Sequence, residues 1–291
     1  MNNKYIEAPF GAFFMLMNEK RIAIQGIEGS NHHKVIRDFM PSTNQIKACA
    51  TFREVVSSLI CKEVDFALMA IENSIAGSIL PNYRLLIDAD VQIIDEFYLN
   101  ISHNLVALPN QTTKDITQVK SHQMALHQCG NFFNKHPHIK LIEDVDTALP
   151  AKIIAENQQL KTAALVPDGT AELFGLQVIE PNIQDIDTNE TRFVLLAHAN
   201  GLYQTAANKA TLHFELKHER GNLASILQKM NEMEMNLTKI QSIPIAHKKW
   251  NYAFIVDVRF DDLKNYQKLI QVLQASTEVV KTLGLYKSGR I

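Results

Sequence analysis

Cysteine is scarce in this chain, with three in 291 residues. Cys49, Cys61 and Cys129 lie far apart, and none belongs to a CxxC pair. That excludes a disulfide framework, and the odd count points to free thiols in a reducing compartment. Long apolar runs are also missing. No stretch approaches the roughly 18 consecutive apolar residues of a membrane-spanning helix. Charge of one sign is not in excess, the formal net charge being -2. No large field is therefore available to attract nucleic acid or an anionic membrane. Neither GxGxxG nor GxxxxGK followed by Ser or Thr occurs, which argues against nucleotide binding.

A secretory leader is not expected either. The apolar stretch from Ala8 to Met17 has only Lys4 as positive charge before it. It is broken by Pro9 and Gly11, and charged residues follow where small ones belong. Met1 to Lys20 is expected to be a loosely held extension, with Met15 or Met17 as alternative starts, and the protein to be cytoplasmic. With 46% apolar and 21% charged residues, the composition is that of an ordinary soluble globular chain. Its length suggests two domains of roughly 150 residues each.

What is present is a set of apolar runs that end in polar clusters. The first is Gln184-Asp185-Ile186-Asp187-Thr188-Asn189-Glu190, a polar stretch rich in turn formers, which passes into Thr191-Arg192-Phe193-Val194-Leu195-Leu196-Ala197. The second half reads as a buried strand. A hydroxyl and a guanidinium thus stand where a polar loop enters a buried strand, the usual place for a site in an open α/β sheet. The plainer reading is a strand start with a β-branched residue and a surface arginine.

Two similar strand ends occur earlier. Arg21 to Gln25 is a short strand followed by Gly26-Ile27-Glu28-Gly29-Ser30 and a helical pattern from His32 to Met40. A strand, a glycine turn and a helix start aim backbone N–H groups at an anion. Val64 to Ile71 is a second buried strand, running into Glu72-Asn73-Ser74-Ile75-Ala76-Gly77-Ser78. Its amide and hydroxyls are hydrogen-bonding groups, and Gly77 permits close backbone approach. A simple capping role for Ser74 or Ser78 is the alternative.

The spacing predicts a helix over 51–62 and strands over 92–97 and 101–108, in which His103 packs or bonds within the sheet. Helices are predicted over 121–131, 148–157 and 168–174, and a strand over 163–166. His122 and His127, five apart, share no helix face well, so a metal site is not expected there. After Asn200-Gly201 the pattern resets. Strands over 211–216, 236–245, 252–260 and 279–286 and helices over 221–233 and 263–275 give βαββαβ, with a His247-Lys248-Lys249 turn between the middle strands. That order is ferredoxin-like, and the alternation over 21–198 is α/β.

Together these segments resemble prephenate dehydratase. The resemblance is carried by Gly26-Ile27-Glu28-Gly29-Ser30, Ile71 to Ser78, Ser121-His122, Gln128-Cys129, Ala171 to Leu176 and Asn189-Glu190-Thr191-Arg192-Phe193, in the family's order. Gly221-Asn222-Leu223 and Asn236 to Ile240 resemble the ACT domain that follows it. The resemblance implies a two-lobed catalytic unit like a type 2 periplasmic binding protein over 21–198. A linker over 199–207 and a ferredoxin-like ACT regulatory domain over 208–287 would follow. It implies conversion of prephenate to phenylpyruvate, CO2 and water, without metal or organic cofactor. It also implies feedback by L-phenylalanine and a homodimer or homotetramer.

On that resemblance Thr191 is the candidate donor to the leaving oxygen and Arg192 the candidate clamp for the side-chain carboxylate. Gly29, Ser30, Asn73, Ser74, Gly77 and Ser78 are candidate substrate contacts, with Phe193 beside them as packing. Gly221, Asn222, Leu223, Asn236, Leu237, Gln241 and Ser242 are the candidate effector contacts. The chain departs from the family's usual residues at Ile27, at Asn31-His32 and at Gln123-Met124. It departs again at Gln241 and Ile243, where Glu and Arg are usual. The last pair removes both charges from the effector motif. Two alternatives stay open: an arogenate dehydratase, and a non-catalytic small-molecule sensor.

Overall fold

The computed structural model describes residues 20–41, 45–199, 206–217, 219–245, 248 and 250–290, with the backbone of strand residues 5–6 and 203–204. The expected N-terminal extension, much of the 199–207 linker and the His247-Lys248-Lys249 turn thus lie largely outside the described residues. In chain order the elements are β1 (Tyr5–Ile6), β2 (Arg21–Gln25), α1 (Asn31–Phe39), β3 (Gln45–Cys49), α2 (Phe52–Ile60), β4 (Phe66–Asn73), β5 (Gly77–Ser78), α3 (Leu80–Asp88), β6 (Val91–Asn100) and β7 (Asn104–Ala107). Then come β8 (Gln118–His122), α4 (Gln123–His127), α5 (Gly130–Asn134), β9 (Lys140–Asp144), α6 (Leu149–Glu156), β10 (Thr162–Val166), α7 (Thr170–Phe174), β11 (Gln177–Glu180) and β12 (Glu190–His198). The last part is β13 (Tyr203–Gln204), β14 (Lys209–Glu215), α8 (Asn222–Glu232), β15 (Asn236–Pro244), β16 (Tyr252–Arg259), α9 (Leu263–Ser276) and β17 (Val279–Tyr286).

Two lobes follow from the pairing. The first has strand order β3-β2-β4-β12-β6 and the second β9-β8-β10-β7-β11. In each, one strand is contributed from across the junction: β12 enters the first lobe after the second is complete, and β7 begins the second. The chain therefore crosses between lobes twice, at 101–103 and at 181–189. This is the two-lobed α/β arrangement expected from the resemblance. Central strands β4 and β12 are buried along nearly their whole length, which is why they read as unbroken apolar runs rather than alternating ones.

The C-terminal part has sheet order β15-β16-β14-β17 with α8 and α9 packed against its core. This is the βαββαβ pattern anticipated above. Its sheet is not separate, however. β17 pairs in parallel with β6 at Gly284 and Ile93, so the first lobe and the C-terminal unit share one ten-stranded sheet. A single apolar cluster spans the junction, joining Tyr83 and Leu86 of α3 and Val194 of β12 to Ile243, Ile255 and Leu283. Lys281 on β17 adds a polar tie: its ammonium donates to the carbonyls of Ile87 at 2.7 Å and Ala89 at 2.8 Å, covering the C-terminal end of α3.

Some boundaries differ from expectation. The predicted helix over 121–131 begins two residues late and breaks in two, because Ser121 and His122 complete β8 and Ser121 Oγ bonds the Leu165 carbonyl at 2.9 Å. Among the described residues no helix is long and apolar enough to cross a membrane, and the three cysteines are unpaired.

The join between the sheets depends on close approach. A Cβ at Gly284 would lie 2.5 Å from Ile93 Cβ and 2.6 Å from its carbonyl oxygen. Gly284→Ala is expected to cost about 1–3 kcal/mol by overpacking, read as a lower urea midpoint. An unchanged midpoint would show that the junction is loose.

Candidate functional site

The lobes enclose a cleft of about 540 Å³. Its first wall comes from β12. Side chains alternate along a strand, so Thr191 and Phe193 face the cleft while Arg192, between them, faces the opposite side. The second wall is built by Ser30, His32, Thr51 and Phe52, and the far lobe contributes His122, Gln128 and Asp146.

Thr191 is set by Asn73 at the end of the neighbouring β4. Asn73 Oδ1 accepts from the backbone N–H groups of Ile75 at 3.0 Å and Ala76 at 2.8 Å. Its amide nitrogen is thereby directed to the other side, where it donates to Thr191 Oγ1 at 2.9 Å and to Asn189 Oδ1 at 2.6 Å. Because Thr191 Oγ1 accepts that bond, its own hydrogen remains free to be donated into the cleft.

The cleft's charge pattern is unusual for an anion site. No Lys or Arg lines it among the described residues. Positive potential comes instead from helix starts. Ser30 caps α1, accepting from His33 N at 3.3 Å, and Thr51 caps α2, accepting from Glu54 N at 3.2 Å. Both caps lie on the cleft wall, so two helix N-termini direct partial positive charge into it. Asp146 is the one carboxylate on the wall among the described residues. Burial pushes its pKa up, opposed by the N–H groups of Ala148 and Leu149 that Oδ1 accepts at 2.5 and 3.0 Å.

His32 supplies part of an aromatic wall. Its ring stands 5.0 Å from Phe193 edge to face and 5.4 Å from Phe52. Nε2 accepts from Ala70 N at 3.3 Å, which leaves the proton on Nδ1. Burial pushes its pKa down to about 3.

Arg192 does not reach the cleft, so the expected carboxylate clamp is corrected to a buried structural cation. Only 4% exposed, it donates from Nε to Glu96 at 2.7 Å, from Nη2 to the Tyr286 hydroxyl at 2.7 Å, and from Nη1 to Asp257. Glu96 also holds Lys209 at 2.8 Å, and Thr211 donates to Asp257 at 2.6 Å. Burial alone would raise the Asp257 pKa, but Arg192 and Lys209 hold it below the usual carboxylate range. The network borders a second, charged cavity of about 440 Å³ between β12 and the C-terminal unit.

Other candidates also sit away from the cleft. Ser74 accepts from Glu190 N at 2.9 Å, pinning the 73–78 turn to the crossing segment, and Ser78 accepts from Lys239 at 2.6 Å. Ser74 and Gly77 border the charged cavity, and Asn73 lines both cavities. Gly29 touches the second lobe: its carbonyl accepts from Thr170 at 2.7 Å, and a Cβ there would meet Thr170 at 2.8 Å. Of the effector candidates, Asn222 and Leu223 line a 190 Å³ cavity with Tyr252 and Phe254, and Gly221 starts α8 at φ +87°. Asn236, Leu237, Gln241 and Ser242 lie on the sheet-edge strand β15 and do not line it. Ile243 is buried in the junction core, where the usual arginine would have no water.

Sequence reasoning gave no role to His32, Gln128, Asp146 or Asn189. Gln128 stood in a recognised segment, but its position in the cleft depends on long-range packing.

Two outcomes are expected from these environments. Arg192→Met removes the bonded cation from buried Asp257 and leaves Glu96 to Lys209 alone, a loss of about 3–5 kcal/mol seen in urea unfolding; a loss below 1 kcal/mol would contradict the network. For His32, the folded pKa of about 3 lies below the ordinary 6.5. The unfolded chain then binds the extra proton, so this stabilisation is complete above pH 6.5 and declines toward pH 3, by about 1.4 kcal/mol per unit within the window. His32→Gln should flatten the acid side of the stability–pH curve. A slope equal to the parent's would show that His32 titrates normally.

Known proteins resemble this chain over most of its length. The family model for prephenate dehydratase matches residues 22–201. The prephenate dehydratase of Methanocaldococcus jannaschii is 30% identical over 257 residues, covering 87% of this chain and 92% of that one. The bifunctional chorismate mutase/prephenate dehydratase of Aquifex aeolicus is 28% identical over 277 residues, 94% of this chain and 75% of the relative. Among solved structures, a prephenate dehydratase from Arthrobacter aurescens in complex with L-Phe superposes with a TM-score of 0.82 at 23% identity, covering 92% and 90% of the two chains. A chain described as GqqA, a novel type of quorum quenching acylase, reaches 0.81 at 23% identity, covering 93% and 99%. At that identity the structural likenesses speak for the fold. The family match over residues 22–201 and the relative at 30% identity carry the conclusion that the chain belongs to the prephenate dehydratase family.

Proposed function

We propose that prephenate loses CO2 and water in the cleft between the lobes, giving phenylpyruvate, with Thr191 as the donor to the departing oxygen. Prephenate carries two carboxylates, a keto group and a ring hydroxyl. Loss of CO2 sends an electron pair into the ring as the hydroxyl leaves, and the gain of aromaticity drives the step. Charge grows on the leaving oxygen, so a fixed donor there acts mainly in the transition state. The observation that carries this reading is the Asn73–Thr191 bond of 2.9 Å, made by an amide whose other end is anchored on two backbone N–H groups. A threonine hydroxyl is a weak acid, so it works as a positioned hydrogen bond rather than by full proton transfer, and the departing hydroxide takes the proton that makes it water from solvent.

The rest of the cleft suits the same chemistry. The N-termini of α1 and α2 attract the dianion, with Ser30 and Thr51 beside it. Phe52, His32 and Phe193 face the ring as it becomes planar. With no cation lining the cleft among the described residues, the departing carboxylate has no strong ground-state partner there, which favours its loss. Arg192 contributes from behind, by holding β12.

We assign residues 21–198 to catalysis and 208–287 to an ACT regulatory unit, with 199–207 between them and 1–20 as an extension. L-phenylalanine is the proposed effector, supported by the L-Phe complex described for the Arthrobacter aurescens relative. Asn222 and Leu223 lie at one cavity and Gln241 and Ser242 on an open edge strand. A site using both groups calls for a second copy along that edge, in keeping with a homodimer or homotetramer.

The test is phenylpyruvate formation from prephenate, with arogenate as comparison and with phenylalanine added. Prephenate is expected to be the better substrate. Thr191→Val should lower kcat by about 10²- to 10³-fold, as loss of one fixed donor does, with the circular dichroism spectrum unchanged. A fully active Thr191→Val would remove Thr191 from the mechanism, and clean binding without turnover would favour the sensor.

A further inference from the structure

A line of amides connects Asn73 to the crossing segments, and its polarity can be worked out from one end. Backbone donors fix Asn73 with Oδ1 toward Ile75 and Ala76, so its Nδ2 donates to Asn189 Oδ1 at 2.6 Å. The oxygen of Asn189 is thus used, and its Nδ2 donates to Gln128 Oε1 at 3.1 Å. The same Gln128 oxygen lies 2.9 Å from His103 Nε2. A carbonyl oxygen can only accept, so His103 carries its proton on Nε2. Both lone pairs of Gln128 Oε1 are then occupied. Its NH2 has no partner among the described residues and belongs to a side chain on the cleft wall.

His103 is well placed to hold this arrangement. It sits in the first crossing and is 2% exposed. Its backbone is tied to the second crossing, donating to Gln184 Oε1 at 3.0 Å and accepting from Ile183 N at 2.9 Å. Its Nδ1 is buried without a partner among the described residues. Of its polar ring atoms, only Nε2 is engaged.

We propose that His103 is a positioning residue for the dehydration: by donating Nε2–H to Gln128 Oε1 alongside Asn189, it holds Gln128 in place as a pure donor toward the substrate. This rests on the cleft being the prephenate site. Prephenate offers mostly acceptors there, its carboxylate and keto oxygens. With its oxygen held by both His103 and Asn189, Gln128 meets them with N–H. Without His103, one lone pair is released and Asn189 alone holds the oxygen, so the N–H is no longer fixed on the substrate.

Steady-state kinetics with prephenate tests this. His103→Leu should raise KM about ten- to a hundredfold with a smaller change in kcat, because the donor acts on bound substrate and transition state alike. Gln128→Leu should do the same, and the double variant should be no worse than either single one. His103→Gln should recover most of the loss, since its amide nitrogen occupies the place of Nε2, and His103→Asn should not, being too short. A parental KM for His103→Leu, or losses that multiply in the double variant, would overturn the proposal. If His103→Leu does not fold, equal KM values for the Gln and Asn variants overturn it. Thr191→Val separates the two levels. If it is inactive while His103→Leu keeps the parental KM, only this inference falls; if it is fully active, the reading of the site falls.

Discussion

The ion pairs of Arg192 hold together parts of the chain that are far apart in sequence. Glu96 comes from β6, Asp257 from β16 and Tyr286 from β17, and all bond one guanidinium on β12. Such a group is costly to bury and becomes tolerable only when every donor is matched. Once matched, it sets the position of β12 against the C-terminal unit. Thr191, one residue away, points the other way into the cleft. The site's geometry is therefore anchored from the reverse side of the strand that carries it.

Among the described residues the cleft is lined by dipoles and one carboxylate rather than by cations. Helix starts, amides and hydroxyls leave the surroundings neutral, apart from Asp146. A salt bridge to a carboxylate would strengthen ground-state binding, whereas a decarboxylation gains from a partner that weakens its hold as CO2 leaves. Fixed neutral donors supply direction without that penalty, and the orientation of each amide is set by its neighbour rather than by solvent.

Much of the fold could be read from the chain. The short, unbroken apolar runs of β4 and β12 were visible because central strands are buried on both faces, and the βαββαβ order after residue 208 because amphipathic helices leave strong periodicity. Strands β3, β9 and β11 went unread. The first two close the outer edges of their lobes' sheets, and β11 closes the second lobe's other edge, with half-exposed residues and little alternation. Helix α3 was missed because Pro81 stands near its start and its buried face includes Asn82. At the site, Thr191, Ser30 and Asn73 were legible as polar residues at buried strand ends. Arg192 was misplaced although the strand's period of two sends neighbours to opposite faces. The Gln128–Asn189 contact spans 61 positions, a distance over which local pattern says nothing.

The continuous sheet changes what the three parts of the molecule are mechanically. The first lobe and the C-terminal unit are bonded strand to strand and share a core, so they form one body. The second lobe meets that body through two short crossings and through contacts that include Gly29 with Thr170 and Lys34 and Arg37 with Asp168. Thr191 and the C-terminal unit therefore belong to one continuous sheet, and His122, Gln128 and Asp146 on the facing wall belong to the other. A change in the C-terminal unit is thus a change in the sheet that carries Thr191, reached through the β6–β17 pairing at Ile93 and Gly284.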